Sequence, residues 1–458
     1  MAAVDKRAAR AGGLSDRDHG ERVLASAYDG LLHLVSQGYN FPRDDTGELY
    51  IANLRGPDYM RFMRRQVKAA GVTILDHHPA LSLLADASGI GGASGIDRQA
   101  NRAWRITAGA VVLATGGCAF GERMLGATGL TGDGYLMAAE AGARLSGMEF
   151  CSQYGIAPAG TSLNKGLIYR WATFTDSDGR LLESGAADRH TQVAQALLSG
   201  PVYACLDLAD ETMQGLLRRA QPNCFVPFDK QGINPFTQKF AVTLRCEGTV
   251  RGVGGIRLAD ESGATDVLGL FAAGDTASRE LLTGAVSGGG GPNASWAIAS
   301  GGWAGKGAAR YALGLGALAN KRNVQEVAGI SRATALSRET AIEVTTAVRE
   351  EMLPLDKNFF RQDARLASTA AHLEQVWGTA QSAPLDHSVD LLRSREATAL
   401  LATARWSVAS ARARRESRGI HRLQGHPVSL PELARRIEVG GLDHVHATYE
   451  RQSVEAPQ

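Results

Sequence analysis

The apolar residues in the first 70 positions recur at the spacing of a helix. Apolar pairs stand at 23–24, 31–32 and 34–35, and a second stretch over 59–70 shows the same period. Apolar positions three or four residues apart place one face of a helix against a core. We therefore predict that residues 1–70 are mainly helical.

Short apolar runs then predict strands. Residues 72–75 form a run typical of a buried strand. A small antiparallel pair of strands is predicted for the segments 81–85 and 104–113, which are joined by a glycine-rich turn. After this pair the chain returns to the main sheet. The glycine-rich stretch 89–95 follows a polar turn, and no amphipathic helix follows it. A dinucleotide fingerprint needs a strand before it and a helix after it, so we interpret this stretch as a hairpin turn.

The segment 110–150 organises the rest of the chain. It opens with an apolar strand at 111–113, continues into a turn of small residues at 114–117, and has a second turn at 131–134 before an alanine-rich helix at 135–143. A strand, a glycine turn and a helix start leave backbone N–H groups free beside the positive end of the helix dipole. This arrangement suits a phosphate or another anion. An ordinary strand–turn–helix unit without a ligand fits the pattern equally well.

The remaining chain divides by pattern into three parts. Residues 151–246 contain short mixed segments with scattered aromatic residues, and residues 247–312 return to strand and glycine motifs. From position 332 onward the apolar spacing is helical, most clearly over 396–413. We expect about the last 30 residues to be loosely attached surface structure.

Charge and composition exclude several classes of protein. The chain has 49 basic and 47 acidic residues, so no net field favours nucleic acid or an anionic membrane. No run of about 18 apolar residues occurs, and no direct membrane span is predicted. The five cysteines are scattered without a C-x-x-C pair, so we predict neither a metal site nor a disulfide framework. Reduced cysteines indicate a cytoplasmic protein.

Four sequence blocks carry a family resemblance. They are Ala-Thr-Gly-Gly at 114–117, Thr-Gly-Asp-Gly at 131–134, Gly-Leu-Phe-Ala-Ala-Gly-Asp at 269–275 and Glu-Ser-Arg-Gly-Ile-His at 416–421. In this order they resemble the fumarate reductase/succinate dehydrogenase flavoprotein family. The resemblance implies an α/β fold with a Rossmann-like FAD-binding domain, an inserted α+β capping domain and a C-terminal helical domain.

The same resemblance implies domain boundaries. We expect residues 1–150 to form the first part of the FAD-binding domain and residues 247–315 its second part. Residues 151–246 would form the capping domain that binds substrate, and residues 316–458 the C-terminal helical domain and tail. The first βαβ unit of such a domain, whose G-x-G-x-x-G sequence binds the pyrophosphate, has no counterpart in this sequence. The chain as written is therefore expected to lack that unit, through a wrongly assigned start, a truncation or a real loss.

The resemblance also implies non-covalent FAD as the cofactor. Asp275 matches the family acid that meets a ribityl hydroxyl, and a small-residue helix over 296–303 would direct its N-terminal N–H groups at the reduced flavin ring. Pro292 and Asn293 directly before this helix favour a defined start over a flexible glycine loop. The full set of expected cofactor residues is Thr115, Gly116, Gly117, Thr131, Gly132, Asp133, Gly134, Gly274, Asp275, Asn293 and Ser295.

The expected substrate residues depart from the family pattern. The family histidine four residues before Gly-Gly-Ile is replaced by Val250, and a glycine run at 288–291 replaces a family arginine. Arg170 and Arg251 remain as candidate catalytic residues, because arginine can bind a carboxylate through two hydrogen bonds. The alternative for each is a surface or ion-paired arginine without a catalytic role.

The resemblance implies an FAD-dependent oxidoreductase that transfers hydride between flavin and a small organic acid or amine. A small-molecule carboxylate is the expected substrate, and an electron-transfer subunit is the kind of partner the family suggests. The alternative is a non-catalytic or truncated flavoprotein homologue that needs a partner chain. The absent fingerprint and histidine favour the alternative, whereas the intact blocks at 114–117, 131–134 and 269–275 favour the enzyme.

Overall fold

The computed structural model describes residues 2–43, 46–51, 54–164, 166–182, 188–327, 335–382 and 390–451. Its α-helices are α1 (Ala2–Ala8), α2 (Arg17–Ser36), α3 (Gly56–Ala69), α4 (Asp133–Glu140), α5 (Arg189–Ser199), α6 (Glu211–Ala220), α7 (Val226–Gln231), α8 (Gly248–Arg251), α9 (Glu280–Thr283), α10 (Gly290–Gly314), α11 (Arg338–Met352), α12 (Asp363–Ser382) and α13 (Leu391–Ala413). Its strands are β1 (Ala80–Asp86), β2 (Gly89–Asp97), β3 (Arg102–Thr107), β4 (Val111–Leu113), β5 (Leu145–Ser146), β6 (Tyr154–Pro158), β7 (Thr173–Thr175), β8 (Val202–Cys205), β9 (Phe240–Cys246), β10 (Gly255–Ile256), β11 (Leu270–Ala272), β12 (Gln325–Glu326), β13 (Ile437–Gly440) and β14 (His446–Tyr449).

A parallel strand pair positions the turns that carry the sequence blocks. β4 and β11 pair in parallel, with Val112 opposite Phe271. The long helix α10 packs across both strands and against α2. Because the carboxyl ends of parallel strands lie at the same edge, the turns after β4 and β11 come together there.

Three antiparallel sheets surround this pair. One has the order β12-β1-β2-β3, a second has the order β6-β9-β8-β7, and a third has the order β10-β5-β13-β14. In the second sheet, β9 alternates buried and half-buried residues along its length, which is the period expected when one face of a strand packs on a core. The strands of the second sheet all lie between residues 154 and 246.

The helices confirm the predicted helical regions at both ends of the chain. α2 begins where the Asp16 carboxylate accepts a hydrogen bond from the His19 N–H at 2.8 Å, the usual N-cap arrangement. α13 covers the predicted helix over 396–413 and starts earlier, at Leu391, where Asp390 caps it. α13 is buried on most of its surface, and Trp406 within it is fully buried. It packs against α11, α12 and α4, so it is the central helix of the C-terminal part.

Two local predictions between residues 72 and 95 were wrong. Residues 72–75 are not a strand: they follow the end of α3 without pairing, and Val72 and Leu75 are 55% and 45% exposed. The stretch 89–95 is part of strand β2 rather than a turn, and the reversal occurs before Gly89. The glycines are needed there because the Arg322 guanidinium lies directly against Gly91, where a Cβ would overlap it.

The C-terminal segment is also more ordered than predicted. β13 pairs with both β5 and β14, and Ile437 and Val439 are buried. The part of this segment in β13 and β14 is therefore built into a sheet rather than loosely attached to the surface. Residues 452–458 lie outside the described residues.

Candidate cofactor site

Thr276 ties the two turns at the end of the parallel strands together. Its hydroxyl oxygen accepts a hydrogen bond from the Gly116 N–H at 2.9 Å and donates to the Gly116 carbonyl at 3.1 Å. It also lies 3.3 Å from the Thr115 hydroxyl. The turn at 114–117 is thus fixed directly beside Gly274 and Asp275. This agrees with the prediction that both sequence blocks meet the same cofactor.

Two glycines of the predicted cofactor set are required by backbone geometry. Gly132 has a φ of +89°, which favours glycine over residues with a side chain. Gly134 lies in the first turn of α4, where a Cβ would overlap the Thr115 hydroxyl. The Thr131 hydroxyl donates to the Asp133 carboxylate. The turn at 131–134 therefore packs against the turn at 114–117.

Tyr135 connects these turns to a third one. Its hydroxyl donates to the Asp275 carbonyl at 2.8 Å and lies 3.0 Å from the Thr249 hydroxyl. Burial raises the pKa of Tyr135, so the phenol stays neutral and able to donate. The Thr249 hydroxyl in turn accepts from the Cys118 N–H at 2.8 Å. Helix α8, which contains Thr249, is therefore held against the end of the turn at 114–117.

The start of α10 faces the same region. The Trp296 indole N–H donates to the Gly274 carbonyl at 2.9 Å, and the Ser300 hydroxyl accepts from the Gly274 N–H at 2.9 Å. Trp296 and Ser300 are four residues apart and therefore lie on the same face of α10. This face binds the turn after β11 through both hydrogen bonds. The helix begins at Gly290, two residues before Pro292. The prediction that Pro292 and Asn293 precede the helix was therefore wrong, and both lie in its first turn.

The surroundings of the α10 start fit one end of a flavin. Gly290 and Gly291 are exposed, and a Cβ on either would meet open space. A ligand can therefore approach the first turn, whose N–H groups have no partner within the helix. The Asn293 side-chain oxygen is buried and accepts no hydrogen bond from any described residue. A flavin ring edge offers both an N–H donor and carbonyl acceptors, which match this orphaned acceptor and these donors.

A cavity of about 180 Å³ opens beside this helix start. Residues of α1, α2, α9 and α10 line it, including Arg7, Asp16 and Ser295. Pockets that enclose a whole small-molecule ligand are typically about 300–1,000 Å³. This cavity is smaller than that, and of the predicted cofactor residues its lining includes Ser295, so it adjoins the start of α10 rather than the turns at 114–117 and 131–134.

The two candidate catalytic arginines lie in different settings. Arg251 ends helix α8, and its Nε is 3.4 Å from the Glu247 carboxylate. The backbone of α8 is so close to Gly117 that a Cβ there would be 2.9 Å from the Val250 nitrogen. Arg170 is exposed near the end of a short 3-10 helix, Gly166–Trp171. The structure therefore brings Arg251 next to the cofactor turns and leaves Arg170 on the surface of the sheet region at 154–246.

The Glu-Ser-Arg-Gly-Ile-His block packs the C-terminal part against the segments that carry Glu149 and Ala285. Glu416 pairs with Arg414 and Arg418, and Arg414 also pairs with Glu149 at 2.8 Å, all of them buried. Burial and the nearby Arg361 guanidinium hold the pKa of His421 well below its usual range. The charged residues of this block are buried and paired with one another, so the block serves packing.

A single backbone position joins both ends of the chain to this region. The Ala285 N–H donates to the Ala11 carbonyl at 2.9 Å, and the Ala285 carbonyl accepts from the Ile420 N–H at 2.9 Å. Gly419 lies so close to Ala285 that a Cβ on it would overlap the Ala285 carbonyl. The segment after α9 is thus fixed from two sides.

Several residues that build the site were missed by sequence reasoning. They are Tyr135, Thr249, Thr276, Arg279, Trp296 and Ser300. Thr276 directly follows Asp275, and Trp296 and Ser300 stand at helical spacing, so these positions offered a signal. Tyr135 and Thr249 are 114 residues apart, and no local pattern connects them.

Comparisons with known proteins agree with this geometry. Residues 11–168 match the family described as "FAD binding domain". The L-aspartate oxidases of Mycobacterium leprae and Mycobacterium tuberculosis (strain H37Rv) are each 28% identical to this chain, covering 94% and 95% of it and 82% and 83% of the relatives. These findings confirm the predicted resemblance to the fumarate reductase/succinate dehydrogenase flavoprotein family. The predicted family, FAD as the cofactor, and the class of FAD-dependent oxidoreductase are thereby confirmed.

Solved structures of this family share the fold. A variant of the E. coli quinol fumarate reductase subunit FrdA has a TM-score of 0.78 at 20% identity, covering 99% of this chain and 87% of that one. Mycobacterium smegmatis Sdh1 in complex with UQ1 has a TM-score of 0.74 at 19% identity, covering 98% and 83%. The predicted α/β fold class is confirmed over nearly the whole chain.

Two further searches bear on the surroundings of the site. In the described part of the chain, no helix combines the length and the apolarity that crossing a bilayer requires. Over the same described ranges, no three or more histidine, cysteine, aspartate or glutamate side chains cluster in a way that could hold a metal ion.

Proposed function

We propose that this flavoenzyme oxidises or reduces a small carboxylate, and that its substrate is an amino dicarboxylate of the L-aspartate type. FAD, when bound, supplies the hydride-accepting ring. The observation that carries the proposal is the convergence of the turns at 114–117, 131–134 and 274–275 on the start of α10. The similarity to two proteins named L-aspartate oxidase supports the amino acid as the substrate class.

The chain's own residues would divide the work of holding the cofactor. The turn residues Thr115, Gly116 and Gly117 and the loop residues Thr131, Gly132, Asp133 and Gly134 would form the wall against the ribityl chain. The Asp275 side chain is 29% exposed, so its carboxylate can accept a hydrogen bond from a ribityl hydroxyl. Gly274, Asn293 and Ser295 would meet the ring end, where the α10 dipole favours electron-rich atoms.

Arg251 would orient the substrate carboxylate. It follows Val250, whose backbone lies against the turn at 114–117, and its guanidinium is partly exposed with one ion pair to Glu247. An arginine presents five N–H donors in a fixed plane. Donors beyond the one facing Glu247 therefore suit a carboxylate. Arg170 is a second candidate, which would have to act from the capping side.

The purified chain provides the test. A yellow protein with stoichiometric FAD that is released by acid, and whose flavin is bleached by anaerobic L-aspartate, supports the proposal. Succinate serves as the comparison substrate, since it has the same two carboxylates without the amine. A protein that binds FAD but is bleached by neither compound would overturn the substrate class. A colourless protein that refuses added FAD would instead support the alternative of a homologue that needs a partner chain.

We also propose an electron-transfer partner subunit. Structural relatives include a protein described as quinol-fumarate reductase with menaquinol molecules, which supports an acceptor other than oxygen. If the proposal is right, the reduced flavin of the isolated chain is reoxidised slowly by oxygen and faster by an added artificial electron acceptor. Fast reoxidation by oxygen alone would contradict it.

We further propose a cytoplasmic location. The five cysteines are all free and buried, which suits a reducing compartment. Fractionation of cells that express the natural gene would test this, and recovery in the extracellular fraction would contradict it.

A further inference from the structure

We infer that Arg279 is a positioning residue that holds Asp275 and the Arg251 helix in one fixed arrangement. The inference rests on the proposed function for the roles of Asp275 and Arg251. It goes beyond that function by assigning a task to a residue that touches neither cofactor nor substrate.

The Arg279 side chain links the turn after β11 to helix α8. It is fully buried, with 0% of the side chain exposed, whereas Asp275 is 29% exposed. One terminal nitrogen, Nη1, donates to the Asp275 carboxylate. Because the guanidinium has no exposed surface, a ligand can reach Asp275 but not Arg279.

The other donors of Arg279 hold the end of α8. Nε donates to the Gly252 carbonyl at 2.9 Å. Nη2 donates to the Thr249 carbonyl at 2.6 Å and to the Val250 carbonyl at 2.9 Å. These carbonyls lie on both sides of Arg251 in the sequence, so the cation sets the path of the backbone that carries that arginine.

Helix α8 depends on such outside support. It has four residues, Gly248–Arg251, and a helix of one turn does not form stably by itself in water. Carbonyls at a helix C-terminus lack partners within the helix and carry negative partial charge. A buried cation that donates hydrogen bonds to several of these carbonyls supplies their missing hydrogen-bond donors and also neutralises their negative partial charge.

Lysine cannot replace arginine in this arrangement. A guanidinium offers five donors in one plane, whereas an ammonium is a point charge with three. A lysine at position 279 would keep the charge and could still pair with Asp275. It could not reach the carbonyls of Thr249, Val250 and Gly252 together. Arg279→Lys therefore keeps the positive charge but removes the hydrogen bonds that position helix α8.

Arg405 offers a matched control. Its side chain is 1% exposed, it forms two hydrogen bonds with the Glu374 carboxylate at 2.9 and 2.6 Å, and it donates to the Leu442 carbonyl at 2.5 Å. It is therefore another buried arginine that joins a carboxylate to a loop carbonyl. Its loop lies before β14, and its partners Glu374, Leu442 and Asp443 are not part of the cofactor turns.

Hydrogen exchange measured by mass spectrometry on the chain without added FAD tests the coupling. Arg279→Lys should raise exchange by about tenfold in peptides covering both 247–254 and 273–278, the change expected from the loss of one buried hydrogen bond. Arg405→Lys should leave both peptides as in the wild type. Unchanged exchange at 247–254 in Arg279→Lys, or equal effects of Arg405→Lys there, would overturn the inference.

A second variant keeps the test decisive if Arg279→Lys does not fold. Asp275→Asn removes the charge that Arg279 binds but leaves Arg279 in place. Exchange should rise at 247–254, since releasing one arm of Arg279 loosens the others. No change at 247–254 would show that the two segments are independent.

Cofactor binding gives a readout that separates this inference from the proposed function. If the wild type binds FAD, Arg279→Lys should raise the dissociation constant about tenfold and raise KM more than it lowers kcat, while Arg405→Lys should change neither. A wild type that binds no FAD would contradict the proposed function. The exchange data would then still decide whether Arg279 couples the two segments.

Discussion

The phenol of Tyr135 donates a hydrogen bond to the backbone carbonyl of Asp275 at 2.8 Å. Tyr135 follows the turn at 131–134, whereas Asp275 follows strand β11. One buried hydroxyl therefore fixes the relative position of two segments that are each predicted to meet the cofactor. The hydroxyl of Thr249, 3.0 Å away, adds helix α8 to the same contact.

Tyr135→Phe should destabilise the protein by about 1–3 kcal/mol, because it leaves a buried carbonyl and a buried hydroxyl without this partner. The measurement is the free energy of unfolding from urea titration. We expect FAD binding to weaken in the same variant. Tyr169→Phe is the control: Tyr169 is also fully buried, but its hydroxyl bonds to no described residue. A loss of stability in Tyr169→Phe equal to that in Tyr135→Phe would contradict this account.

Two glycines of α10 should respond to alanine in opposite directions. Gly302 is exposed, and a Cβ there would meet open space, so Gly302→Ala should stabilise the protein by about 0.5–1 kcal/mol. Gly307 is buried, and a Cβ there would lie 2.5 Å from the Ser262 carbonyl and 2.9 Å from the Phe271 ring. Gly307→Ala should destabilise it by about 1–3 kcal/mol. Thermal unfolding of both variants tests the contrast, which fails if the two shifts have the same sign.

Glu280 should make the stability fall as pH rises. Burial, together with the nearby Glu149, raises the pKa of the Glu280 carboxyl to about 8, whereas an unfolded glutamate titrates near 4.3. Between these values the folded state holds a proton that the unfolded state has released. The contribution of Glu280 to the free energy of unfolding is thus complete below about pH 4.3. It decreases as the pH rises toward 8, by up to about 1.4 kcal/mol per pH unit. Urea titrations from pH 5 to 9 should show this slope in the wild type, and its removal in Glu280→Gln.

Glu416 supplies the opposite sign as a control for that experiment. Burial opposes its charge, but hydrogen bonds from Arg418, the Leu430 N–H and Arg414 lower the pKa of Glu416 overall. Glu416 therefore contributes to the free energy of unfolding above the pKa of an unfolded glutamate, and this contribution is lost as the pH falls through the lowered pKa of the folded state. Glu416→Gln should destabilise the protein by about 3–5 kcal/mol near neutral pH, since it removes the carboxylate that pairs with the buried Arg418 and one of the two that pair with Arg414. The difference from the wild type should shrink on acidification. A difference that grows instead would refute the assignment.

Arg251→Gln should impair substrate binding more than folding. The loss of one charged hydrogen-bonding group to a carboxylate corresponds to about 1.5–3 kcal/mol, or a rise in KM of roughly 10- to 150-fold. Steady-state kinetics with the substrate found by flavin bleaching provides the measurement. Arg180→Gln is the control, because Arg180 is an exposed arginine whose side chain is 76% exposed. A normal KM in Arg251→Gln with a raised KM in Arg170→Gln would transfer the role to Arg170.

Local sequence pattern was sufficient for the elements that carry the cofactor turns. The apolar run at 111–113 is strand β4, and the predicted helix at 135–143 is α4, which begins two residues earlier and ends three residues earlier than predicted. Small residues after a short apolar strand have few alternatives to a turn. The wrong strand at 72–75 shows the limit of this reasoning, since an apolar run becomes a strand only when another strand pairs with it.

The contacts between segments could not be predicted in the same way. Strand β13 forms because β5 and β14 flank it, and β5 lies almost 300 positions earlier in the chain. Arg279 stands four residues after Asp275, a spacing that allows an ion pair, but its carbonyl partners at 249–252 come from a different segment. Four buried donors of one guanidinium are a product of tertiary structure, and a single sequence does not reveal them.

The two hydrogen bonds of Ala285 have a consequence for biosynthesis. One joins position 285 to position 11 and the other joins it to position 420, so the segment before α10 is secured only when the last tenth of the chain is present. During synthesis, residue 420 is added after every residue that is predicted to touch FAD. The binding site of the growing chain therefore stays incomplete until synthesis is nearly finished. We therefore expect the complete site to capture its cofactor after translation rather than during it.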